Sequence, residues 1–79
     1  MSENTFEVVR RVLINQLNVS EGEVTPEATI NDDLGADSLD AVELIMSLEE
    51  EFNLTIESSE AESLKTVSDV VALVDSLKA

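Results

Sequence analysis

The sequence predicts an all-α domain: a four-helix bundle with a long loop between helices 1 and 2 and a short helix 3. Three observations predict it. Apolar residues recur at helical spacing in three separate stretches, no useful run alternates as a strand would, and the breakers Gly22, Pro26 and Gly35 all fall in one stretch. The 79 residues suffice for one domain, 1–79. Leu, Ile, Val and Phe number 26 of 79, above the ~20% below which a charged chain stays disordered, so a folded core is expected.

The first helix is expected from about Asn4 to Leu17. Phe6, Val9, Leu13 and Leu17 share a face, flanked by Val12 and Ile14, with Asn4 as N-cap and Glu7 as its capping-box partner. Periodicity then stops from Asn18 to Ala36. Spaced Val19, Val24, Ile30 and Leu34 predict that this long loop is pinned to the core, and long loops in small domains are often functional. The second helix should begin at Asp37 or Ser38 and run to about Phe52. Ser58-Ser59 followed by Glu62 predicts a short third helix ending near Leu64. Thr66 with Asp69 predicts the cap of a fourth, whose Val67, Val70, Val71, Val74 and Leu77 share one face.

Eighteen acidic residues face four basic ones and no His, a net charge of -14. That argues against nucleic acid and anionic membranes as partners, since both reward basic patches, and for partners with basic docking faces or bound cations. Without His or Cys the chain lacks the usual general base, thiolate nucleophile and zinc ligands, so an enzyme is the least favoured class. No EF-hand pattern is present, and no specific metal site is expected. Weak divalent binding is expected at clustered Asp32, Asp33 and Asp37, and at Glu49, Glu50 and Glu51. The longest apolar run, Val70 to Val74, is too short to insert in a membrane. The start, Met1-Ser2-Glu3-Asn4, lacks the features of a signal peptide, so a cytoplasmic monomer is expected.

The second helix carries the most information. At ~100° per residue, Ala41, Leu44, Ile45, Leu48 and Phe52 form one arc, the core face. Leu39, Val42 and Met46 form a second arc beside Ser38, bordered by Asp40, Glu43 and Glu50. A bundle helix needs only the first stripe, and an exposed apolar strip with a polar rim marks a partner site. The competing expectation is that helix 3 covers the second strip.

Asp33-Leu34-Gly35-Ala36-Asp37-Ser38-Leu39-Asp40, with Val42-Glu43-Leu44, Met46 and Leu48-Glu49-Glu50-Glu51-Phe52, closely resembles the acyl carrier proteins of dissociated, bacterial-type fatty acid synthesis. The likeness extends from about Phe6 to Leu77. It implies that Ser38 carries 4′-phosphopantetheine, transferred from coenzyme A by a holo-carrier synthase, a phosphopantetheinyl transferase. The arm's thiol would then hold acyl chains as thioesters. Asp37 would orient Ser38. Asp40, Glu43, Glu49 and Glu50 would meet basic patches on the transferase and on fatty acid synthesis enzymes, and Leu39, Val42 and Met46 would supply the apolar contact. Ile45, Met46, Leu48, Phe52, Ile56, Ala61 and Leu64 would line the path of the acyl chain. Glu57-Ser58-Ser59 replaces the family's usual Pro and acid before helix 3, so partner contacts in that segment do not carry over. The alternatives are a carrier for a polyketide or other specialised acyl pathway, and an acidic cation-binding interaction module without a prosthetic group.

Overall fold

The computed structural model describes residues 4–78. Four helices follow in order: α1 (Thr5–Leu17), α2 (Ser38–Phe52), α3 (Ser58–Glu62) and α4 (Val67–Lys78). This is the all-α bundle with a long first connection and a short third helix that the periodicity predicts.

Helix α1 packs against both α2 and α4. It therefore buries a wider arc than a single stripe: Thr5, Val8, Val9, Val12 and Leu13 are buried, while Phe6 and Leu17 are only half-buried. Its cap is the Asn4 carboxamide, which accepts the Phe6 N–H at 2.8 Å. Thr5, a polar residue in the buried arc, donates its hydroxyl to the Asp75 carboxylate and accepts from Lys78 Nζ at 3.0 Å, tying α1 to α4. The innermost side chains are Val9, Leu13, Leu44, Leu48, Val67, Val70 and Val74, with no aromatic ring among them.

The long connection is held as predicted, through Val24, Ile30 and Leu34, and also through Ala28 and Ala36. It contains a 3-10 turn at Glu21–Glu23 that apolar spacing could not reveal. Ile30 N–H donates to the Lys65 carbonyl at 2.9 Å and Val67 N–H to the Ala28 carbonyl at 3.0 Å. These bonds stitch the connection to the segment leading into α4.

The third helix differs in detail from expectation. Its N-cap is Glu57, not a serine, and Glu60 Oε1 accepts the Glu57 N–H at 3.2 Å. The helix ends at Glu62, two residues early, because Ser63 turns its hydroxyl onto the Glu60 carbonyl at 2.9 Å. The fourth helix is capped reciprocally: Thr66 Oγ1 accepts the Asp69 N–H at 3.2 Å, and Asp69 Oδ2 accepts the Thr66 N–H at 3.1 Å.

Two predictions follow from these contacts. Leu48 is fully buried and Leu39 is 65% exposed on the same helix. Leu48→Ala should cost about 3 kcal/mol through its transfer and cavity terms, whereas Leu39→Ala should change stability by less than about 0.5 kcal/mol; urea unfolding compares them. The Asp69 carboxylate is held below the ordinary aspartate value, first by the Thr66 N–H and then by the Lys65 N–H. A carboxylate with a depressed folded pKa stabilises above its unfolded value, and that contribution disappears as pH falls through the folded value. Asp69→Asn should therefore lower the melting temperature at pH 7, and the gap to the unmodified protein should close as pH falls below the ordinary aspartate range.

Candidate functional site

The segment before α2 makes one abrupt turn. Gly35 takes φ +73°, a left-handed conformation that a side chain would strain, although nothing lies within 4 Å of where a Cβ would stand. The next residue, Ala36, is buried and anchors the chain, its N–H donating to the Ile30 carbonyl at 3.1 Å. Asp37 then caps the helix. Its Oδ1 accepts the Asp40 N–H at 2.9 Å, and Asp40 Oδ2 accepts the Asp37 N–H at 3.4 Å.

Ser38 is consequently the first residue of a 15-residue helix and is exposed. It also stands at the rim of a cleft of about 400 Å³ between α2, α3 and the long connection. Ile45, Met46, Ile56, Ala61 and Leu64 line this cleft, together with Ile30, Ala41, Val42 and Leu44; Asn31, Ser58 and Glu62 give it polar edges. The size suits a small-ligand pocket. Ile30 and Asn31 were missed as lining, because the spacing of Ile30 signalled only attachment to the core.

Leu48 and Phe52, expected in the same lining, lie elsewhere. Leu48 is closed into the core, with none of its surface exposed. Phe52, near the end of α2, is half-buried and has Lys78 Nζ of α4 at 5.7 Å from its ring centroid. The physical reason is the length of α3: with five residues it flanks only part of α2.

The second arc of α2 is not covered by α3. Leu39, Val42 and Met46 are 65%, 56% and 57% exposed, the large exposed apolar residues of the described chain. Glu43 and Glu50 are exposed beside them, and Asp40 is half-buried in the capping box. Glu49 is half-buried, and its carboxylate accepts the Ile56 N–H at 2.8 Å.

The two expected divalent clusters do not form. Among the described residues no three carboxylates come together as a metal-ligating group. Asp33 accepts from the Thr29 N–H and Asp37 is committed to the cap, while Glu49 and Glu51 turn to Ile56 and Arg11 respectively. Consecutive helical residues diverge by ~100°, so Glu49, Glu50 and Glu51 cannot share one ion.

Comparison with known proteins matches residues 7–74 to the family described as the phosphopantetheine attachment site. An acyl carrier protein of Helicobacter hepaticus is 52% identical over 75 residues, which cover 95% of this chain and 99% of that one. The chain belongs to the acyl carrier protein family. A solved structure described as a candidate acyl carrier protein of Mycobacterium tuberculosis superposes with a TM-score of 0.86 at 35% identity, covering 91% of this chain and 96% of that one. Acyl carrier proteins are carriers rather than catalysts, act together with synthase enzymes, and bear a 4′-phosphopantetheine group. The residues around α2 fit such a group: an exposed hydroxyl opens a helix N-terminus, which favours a phosphodiester, and an apolar cleft lies beside it. Among the described residues no helix is long and apolar enough to cross a membrane.

Proposed function

We propose that this chain, as a single carrier domain over 1–79, carries growing acyl chains on a 4′-phosphopantetheine group attached to Ser38 and delivers them to the enzymes of fatty acid synthesis. The observation that carries this reading is the position of Ser38, exposed at the first residue of α2 and on the rim of the apolar cleft. The group supplies a thiol on a flexible arm, which a chain without Cys lacks. The chain's own residues do the rest. Gly35 and the Asp37–Asp40 box fix the Ser38 backbone, so the hydroxyl is offered to a transferase without local unfolding. Ile45, Ile56, Ala61 and Leu64 withdraw an apolar chain from water.

Partner enzymes dock on α2 through Leu39, Val42 and Met46, with Glu43 and Glu50 meeting basic residues. Support comes from the exposure of these side chains and from the charge: between Val12 and Leu64 there are 14 acids and no base. The cytoplasm, where dissociated synthesis enzymes and coenzyme A meet, is the proposed location.

Two measurements test this function. Incubation with coenzyme A and a phosphopantetheinyl transferase should add ~340 Da to the intact mass. Ser38→Ala should fold and gain nothing; a mass gain in that variant would move the site to another serine. Affinity for the transferase should fall at least about tenfold between ~0.05 and ~0.5 M salt, because exposed charges are screened. Glu43→Lys and Glu50→Lys should each weaken binding several-fold more than Glu27→Lys in the long connection. Equal effects at the three positions would make the attraction generic and remove α2 as the docking face.

A further inference from the structure

Glu49 lies in the last turn of α2, next to Glu50 and Glu51. A carboxylate is disfavoured there by the helix dipole and by its neighbours. Its partners explain its presence. Helix α2 ends at Asn53, whose left-handed backbone (φ 54°, ψ 54°) returns its N–H to the Glu49 carbonyl. Leu54 N–H donates to that same carbonyl at 3.1 Å. The chain then runs to Ile56, whose N–H donates to Glu49 Oε2 at 2.8 Å in a part-buried bond. One residue thus receives three N–H groups of the returning segment, two on its backbone and one on its side chain. Ile56 is 6% exposed and lines the cleft, and the helix that follows it has only five residues to hold the segment in place.

We propose that Glu49 is a positioning residue for the acyl chain: its carboxylate latches the Ile56 N–H, and Ile56 thereby forms a wall of the cleft that encloses the cargo. Glu49 is then distinguished from Glu43 and Glu50, which stand exposed and free to meet a partner. The acyl part rests on the proposed function; the latch itself does not. A charge-assisted bond from a backbone N–H to a carboxylate is among the stronger protein hydrogen bonds. Its loss would release the chain between Asn53 and Ser58 and let Ile56 swing from the cleft. What matters for a latch is an acceptor oxygen, whereas what matters for docking is a negative charge.

Glu49→Gln keeps the acceptor and removes the charge, Glu49→Ala removes both, and Glu51→Gln, at an exposed neighbouring acid outside the docking strip, is the charge control. Amide hydrogen exchange is measured at Ile56 in the chain without its arm. Protection should be near unmodified levels in Glu51→Gln, lower by no more than a few-fold in Glu49→Gln, whose neutral amide oxygen still accepts, and about tenfold lower in Glu49→Ala, the size expected for one hydrogen bond. Hydroxylamine cleavage of an octanoyl thioester on the loaded protein should run several-fold faster in Glu49→Ala than in the other three forms, while an acetyl thioester should be cleaved alike in all. An Ile56 amide that exchanges as freely as an unbonded loop amide in the unmodified protein would overturn the latch, even if Glu49→Ala failed to fold. Lost protection without faster octanoyl cleavage would overturn the enclosing role. Failure of the unmodified protein to accept the arm or an octanoyl group would instead refute the proposed function, and the proposal for the cargo with it, leaving the exchange result to decide the latch alone.

Discussion

The reciprocal hydrogen bonds between Asp37 and Asp40 decide where α2 begins, and the functional surface is registered from that point. A start one residue later would rotate the helical phase by ~100° relative to the preceding turn. Ser38 would then no longer stand both outside the core and on the rim of the cleft. The cap needs help from its approach. Gly35 supplies the left-handed turn, and buried Ala36 and Leu34 hold the long connection against the core. An otherwise irregular stretch is therefore fixed at its far end, where the hydroxyl must be presented.

From that phase α2 acquires two apolar faces with different uses. Leu44 and Leu48 complete the core with α1 and α4, while Leu39, Val42 and Met46 stay in water. Exposing three large apolar side chains costs the protein hydrophobic stabilisation it can ill spare, because small domains bury little. The surrounding acids keep the strip soluble and select basic partners. The few cations are spent elsewhere: Arg11 reaches Glu51 at 3.5 Å, and Lys78 joins Thr5, Asp75 and Phe52 at the α1–α4 end. The acid-rich middle of the chain thus presents almost undiluted negative charge.

Much of this was legible in the sequence because it depends on local rules. Helical spacing located α1, α2 and α4, the Ser58-Ser59 and Glu62 start signal located the short α3, and the 100° step separated the exposed arc of α2 from its buried arc. Asp37 and Asp40 announced a cap by type and spacing. What escaped depends on partners distant in the chain. Thr5 reads as a polar first-turn residue until Asp75 and Lys78 are brought beside it. Glu49 reads as one more surface acid, because its acceptor role requires the turn at Asn53 to return Ile56 seven residues later. Leu48 and Phe52 share the face that gave Ile45 to the cleft, but the length of α3, set by Glu57, Glu60 and Ser63, decides how far along α2 the cleft extends. The carboxylate triplets looked like cation sites only while their side-chain directions were unknown.

The central claim is that the α2 cap places Ser38 so that cargo attached there lodges between α2 and α3. The most direct test is nuclear Overhauser contact mapping on the octanoyl-loaded protein with labelled methyl groups and labelled Phe rings. Contacts from the octanoyl chain to Ile45, Ile56, Ala61 and Leu64, with none to Phe52 or Val74, are the predicted result. Contacts to Leu48 and Phe52 instead, or an octanoyl chain that touches no methyl of the cleft, would contradict it.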